Sequence, residues 1–187
     1  MKAWSIISRD AFKILKAHGV LTCNNVNLTQ ASETRWFSVA YQYMREAMKK
    51  KGLKPDNEKQ YPLWVWTERS GEKGAEPNYL SDESFDSILL ELEIPESELL
   101  QSSFELWEAV LNGVNFNKHW NDESASSLNE ITESWSCVFN IDSYVEGYSP
   151  ITLDDRNTQA TCWKLTKEHV VKWRRYGINA SSAKPLI

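Results

Sequence analysis

Polar and apolar positions alternate most cleanly over residues 87–94. Ile88, Leu90, Leu92 and Ile94 fall on one side there, and Leu89, Glu91 and Glu93 on the other. A period of two is that of a β-strand, and Pro95 ends it. Residues 61–67 (YPLWVWT) are aromatic and β-branched, which predicts a second strand with Trp64 and Trp66 on one face. Short extended segments are predicted at 3–7, 20–23 and 159–165. Helical spacing is clearest over residues 33–51, where Trp36, Val39, Ala40, Tyr43, Met44 and Ala47 recur at intervals of three and four. Ser8 and Gly19 bracket a helix carrying Phe12, Ile14 and Leu15; Ser103 and Gly113 bracket another over 104–112. A further helix is predicted at 127–139, and a last short one from Thr166 through Trp173. The stretches 24–32, 68–81 and 140–157 read as loops. Strands and helices interspersed in this way predict a single compact α+β domain with a small sheet of short strands, spanning residues 1–176. Residues 177–187 are expected to form a flexible tail.

The chain has 187 residues, 41% hydrophobic and 25% charged, with a formal charge of −5. These are ordinary values for a globular domain. The acidic balance argues against a nucleic-acid partner. Lys49, Lys50 and Lys51 are accounted for by the favourable position of cations at a helix C-terminus. Lys172, Arg174 and Arg175 form a small second basic cluster. No stretch is apolar enough for a membrane span, because Glu91 and Glu93 interrupt the best one. Cys23, Cys137 and Cys162 are odd in number and widely spaced, which fits a reducing cytoplasm better than a disulfide framework. His18, His119 and His169 share no metal-ligand spacing, so no metal is expected.

Nine tryptophans are the unusual number. They either fill the core with their indole N–H groups bonded, or several converge on a cleft where flat rings hold a base or a nicotinamide. The same two readings apply to Glu91 and Glu93: a solvated sheet face, or paired carboxylates in a pocket. No glycine-rich phosphate loop, nucleophile elbow or kinase motif set is present.

Taken in order, several segments resemble a family of domains of unknown function found in small bacterial and phage proteins of about this length. The opening Ala3-Trp4-Ser5-Ile6-Ile7 is similar to its L-W-T-I-Q strand, and Tyr61-Pro62-Leu63-Trp64-Val65-Trp66 to its Y-P-V-W-A-W strand. Ala40-Tyr41-Gln42-Tyr43-Met44 resembles its A-Y-x-W-M helix. Ile88 to Pro95, followed by Leu99 to Asn112, resembles its most specific block, V-L-I-E-L-E-I-P…L-L-S-D-F-D-x-W-x-x-V-L-N. Ser134-Trp135…Phe139 and Gln159-Ala160-Thr161-Cys162-Trp163 resemble two later elements. Ile7 and Ser103 depart from the pattern, standing where it has Gln and Asp. The family carries no established activity, so the resemblance implies a fold and leaves Trp4, Trp64, Trp66, Glu91, Glu93, Asn112, Gln159 and Trp163 as site candidates.

Two functional expectations follow. The leading one is a non-enzymatic protein-interaction module, a phage or mobile-element factor acting on a host protein through aromatic anchors. The alternative is an ADP-ribosyltransferase-like or NAD-binding domain. It rests on similarity of element order alone. Gln159 would be its late polar catalytic group, Trp64 or Trp66 the stacking platform and Arg35 a pyrophosphate contact; only this reading calls for a cofactor, NAD.

Overall fold

The computed structural model describes residues 1–24, 36–76, 87–118, 124–142, 144–149, 152 and 155–176. In chain order the elements are β1 (Lys2–Ser8), α1 (Arg9–His18), β2 (Val20–Thr22), α2 (Trp36–Lys50), β3 (Leu63–Arg69) and β4 (Glu72–Lys73). They continue with β5 (Ser87–Glu93), β6 (Leu100–Ser103), α3 (Phe104–Leu111) and α4 (Leu128–Ser134). The chain then runs through β7 (Thr158–Cys162), β8 (Lys164–Thr166) and β9 (Val170–Tyr176). Six strands lie side by side in the order β6-β7-β3-β1-β5-β9, all pairs antiparallel. Strand β4 folds back on β3, and β2 with β8 makes a separate ribbon. The architecture is a single compact α+β domain.

Alternation along the strands sends neighbouring residues to opposite faces, and each face has its own core. On one face Ala3, Val65, Leu90, Leu92 and Ala160 pack beneath Phe12 and Leu15 of α1 and Leu21 and Leu165 of the ribbon. On the other, Leu100 and Trp64 pack against Met44 and Met48 of α2, Leu106, Trp107 and Val110 of α3, and the buried Trp135. Strand β5 lies between β1 and β9, so Ile88, Leu90 and Leu92 are fully buried. Leu89, which the alternation placed on the polar side with Glu91 and Glu93, is only 1% exposed.

Local signals act as their chemistry requires. Ser8 Oγ accepts from the Ala11 N–H at 3.1 Å, and the Gly19 N–H closes α1 onto the Leu15 carbonyl at 2.9 Å. Ser127 and Glu130 form a capping box, with Ser127 N–H to Glu130 Oε2 at 2.7 Å.

Three expectations need correction. The helix predicted over 127–139 is α-helical only to Ser134 and continues as a 3₁₀ turn, Trp135–Phe139. Ser134 Oγ donates back to the Ile131 carbonyl at 2.7 Å and accepts the Phe116 N–H at 3.0 Å, a side-chain competition that disfavours helix continuation. The predicted helix from Thr166 to Trp173 is a single 3₁₀ turn, Lys167–His169, followed by β9. His169 Nδ1 accepts the Thr166 N–H at 3.3 Å, so the capping signal operates for one turn, after which Val170-Val171 favour extension. The predicted 68–81 loop begins as a hairpin: β3 runs to Arg69 and turns through Ser70-Gly71 into β4. Strand β6 was unassigned from the sequence. The remainder of that loop (77–86), residues 25–35 and the 177–187 tail lie outside the described residues.

Candidate functional site

Register brings one residue from each of six strands into a single row across the sheet: Ser102, Gln159, Trp66, Trp4, Glu91 and Lys172. All six project from the face that carries the helices α2 and α3, but the row extends beyond them towards β9. Four sequence-nominated residues, Trp4, Trp66, Glu91 and Gln159, are therefore neighbours although they are far apart in the chain.

Trp4 is 6% exposed and its indole N–H donates to the Gly74 carbonyl at 2.9 Å, so the β3–β4 hairpin end lies against it. Lys2 Nζ sits 5.0 Å from the centre of the same indole and 3.2 Å from Glu91 Oε1. Trp66 packs on Phe104 with ring centres 4.8 Å apart, and the Arg69 guanidinium lies 4.5 Å from the Trp66 ring. That ring is thus already contacted by two side chains of the chain itself. Beside the row, Trp4, Leu89, Glu91, Lys172, Arg174 and Glu76 line a shallow hollow of about 40 Å³, with Arg174 paired to Glu76.

Gln159 is 6% exposed. Among the described residues its Nε2 has no hydrogen-bond partner, and neither has Ser102 Oγ opposite it on β6. A buried polar group left unmatched costs about 1–3 kcal/mol. Gln159→Leu is therefore expected to raise stability by roughly 1 kcal/mol, seen as a higher urea midpoint at unchanged slope. A loss of that size instead would mean that the amide is satisfied, through a bridging water, and helps to hold β6, β7 and β3 together.

The other nominated residues lie elsewhere. Trp64 belongs to the aromatic cluster under α2, with its ring centre 5.1 Å from Trp107 and 6.2 Å from Tyr41. Trp163 is 6% exposed and donates to the Leu53 carbonyl at 3.1 Å. Asn112 ends α3, its side-chain amide donating to the Glu108 carbonyl at 2.8 Å. Glu93 is exposed at the end of β5, opposite Lys2. Arg35 lies outside the described residues.

A buried ion-pair network lies near the row. Glu68, 3% exposed at its side chain, is bound by Arg156 at 2.9 Å, and Arg156 also pairs with Asp142 at 3.0 Å. This network fastens the segment before β7 to the end of β3. Burial pushes the Cys162 thiol up to about 12, so it stays protonated and unreactive at neutral pH. Among the described residues no group of three His, Cys, Asp or Glu side chains could hold a metal ion. No described helix is long and apolar enough to cross a membrane.

A family profile for a domain of unknown function, DUF3841, matches residues 2–128. The chain belongs to this family. The match takes in β1, β3, β5, β6 and α3, and so includes Trp4, Trp66, Glu91 and Ser102 of the row, while Gln159 and Lys172 lie past its end. No curated protein and no solved structure matches the chain.

The sequence reading did not attach Ser102 or the Lys172–Arg174–Arg175 cluster to the site. The signal for the second was present in Val170-Val171-Lys172-Trp173-Arg174-Arg175-Tyr176, whose β-branched and aromatic content is that of a strand.

Proposed function

We propose that this DUF3841 chain is a non-enzymatic protein-interaction module working from the β9 side of the sheet. The observation that carries the reading is β9 itself. It is a seven-residue strand at the end of the sheet, and among the described residues no strand pairs with its outer edge. Val171 on it is 61% exposed, and Lys172 and Arg174 lie beside the hollow. An open strand edge next to a depression is a surface other chains can use. The partner class is a host protein, in line with the resemblance to bacterial and phage proteins, met in a reducing cytoplasm that suits three cysteines outside any disulfide.

The second reading is the NAD-binding one, and the observation in its favour is that Gln159, Trp66 and Trp4 adjoin. Against it, Gln159 and Trp4 are each only 6% exposed. The hollow, at about 40 Å³, is also far smaller than the ~300–1,000 Å³ of pockets for drug-sized ligands.

The test places a photo-crosslinking residue at Val171, and separately at exposed Leu128 on α4, in the full chain expressed in cells. Protein adducts are expected from position 171 and not from 128. Adducts from neither or equally from both would overturn the module. Thermal stabilisation of the purified chain by several degrees with NAD or ADP-ribose would transfer the site to the second reading.

A further inference from the structure

Strand β9 carries two cations, Lys172 and Arg175, for which no acidic partner lies among the described residues. Its register with β5 is regular from Lys172 to Tyr176, opposite Glu91 to Ser87, after an irregularity at its start. Lys172 lies on the face with the hollow, beside Glu91, but that carboxylate is engaged by Lys2 at 3.2 Å, and Lys172 forms no ion pair among the described residues. Arg175 projects from the opposite face, across from Ile88. Its guanidinium is half-buried, with Nε shielded from solvent and without a hydrogen-bond partner among the described residues. Arg174 alone is matched, by Glu76. A half-buried guanidinium nitrogen with no acceptor is costly in isolation, and an incoming anion would relieve the cost.

Cations on a terminal strand also serve to keep other strands away. Here that role would be met by Lys172 alone, on the solvated face. It gives no reason for an arginine whose Nε is shielded and unmatched on the other face. Residues three apart on a strand lie on opposite faces, so Lys172 and Arg175 bracket the edge from both sides. The charge pattern also decides against a second copy of this chain. Two β9 strands side by side would bring Lys172, Arg174 and Arg175 against the same three cations, and like charges across strands are destabilising.

Building on the interaction module proposed above, we infer that the partner is an extended acidic segment that adds to the sheet as a strand along β9, with carboxylates three positions apart meeting Lys172 and Arg175. Backbone hydrogen bonds to the outer edge of β9 supply the common attraction, and the two charge contacts set which segment is taken. A side chain of the added strand on the Lys172 face lies next to the hollow.

The experiment uses the full chain and a fluorescent Thr/Val peptide with glutamates three positions apart. The same peptide with lysines at those positions, and one N-methylated along the edge that would pair, serve as comparisons. Anisotropy is expected to show binding of the glutamate peptide, at least about tenfold weaker binding of the lysine peptide, and a similar loss for the K172E/R175E variant. The N-methylated peptide is expected not to bind, and amide exchange is expected to slow over Val171–Tyr176 when the glutamate peptide is present. R175K, which keeps the charge without the planar donor set, is expected to fall between wild type and the double variant. Absent binding, equal binding of the two charge forms, or binding that survives N-methylation would overturn strand addition. So would self-association that protects β9. If crosslinks still form at Val171 in that case, the module stands and only its mode is removed; if they do not, both fall.

Discussion

Replacing Trp135 with alanine is expected to cost about 3–5 kcal/mol, the range for deleting a large buried aromatic. Trp135 has no exposed surface. Its ring meets Tyr43 edge-on at 5.3 Å and Trp36 at 6.3 Å, and its indole N–H donates to the Val114 carbonyl at 2.7 Å. It is the point where α2, the loop after α3 and the 3₁₀ turn meet, so its loss leaves a cavity that three elements would have to move together to fill. For a domain whose whole stability is of order 5–15 kcal/mol, this is a large part of the total. The melting midpoint should fall by about 10 °C or more. Trp135→Phe keeps a ring but gives up the hydrogen bond, and should cost less than half as much. If alanine cost under about 1 kcal/mol, the second core would not depend on the indole, and its assignment as packing and not function would have to be revisited.

That assignment bears on the nine tryptophans. Trp4, Trp107, Trp135 and Trp163 are each at most 6% exposed, and every indole N–H among them for which a partner is placed bonds a backbone carbonyl. The reading of bulky core residues with satisfied N–H groups therefore describes Trp4, Trp135 and Trp163 better than a shared cleft does, whereas the buried Trp64 N–H has no partner among the described residues. Only Trp4 and Trp66 meet in the row, and Trp66 is already packed by Phe104 and Arg69.

How much of this was legible depended on how local the cause was. Strand β5 could be read because it is half covered and keeps its period of two. Ser8 and Ser103 announced their helices because a cap acts within three residues. Strand β9 could not be read so easily, because an edge strand is partly solvated on both faces and loses strict alternation. The nearby Thr166 then supplied a helix signal that holds for one turn only. Strand β6 is four residues long, too short for any period to show. The row itself was the least accessible feature. Its members were nominated one by one, but their adjacency is set by the strand order β6-β7-β3-β1-β5-β9, a property of long-range pairing that no local pattern specifies. Asn112 shows the converse: a polar residue at a recurring motif position whose amide is spent on the end of α3.

The end of α3 also contains the position with the second large expected effect. Gly113 follows the helix with φ of 72°, in the left-handed region, and its N–H closes onto the Val110 carbonyl at 2.9 Å. A β-carbon added there would lie within the Trp36 indole, overlapping Cδ2, Cε2 and Nε1. Gly113→Ala thus meets two costs at once: roughly 1–2 kcal/mol for a left-handed L-residue, and about 1–3 kcal/mol for overpacking. The expected loss is about 2–5 kcal/mol, read as a lower denaturation midpoint. The two costs separate by double substitution. In a Trp36→Ala background the overlap is gone, so Gly113→Ala should there cost only the backbone part, and the two changes together should cost clearly less than their sum. Gly113→Asn, which tolerates the left-handed region better, should be nearly neutral in that background and still damaging beside the intact indole. Strict additivity of Gly113→Ala and Trp36→Ala would show that Trp36 does not rest on Gly113, and with it that the first turn of α2 is not seated on the end of α3.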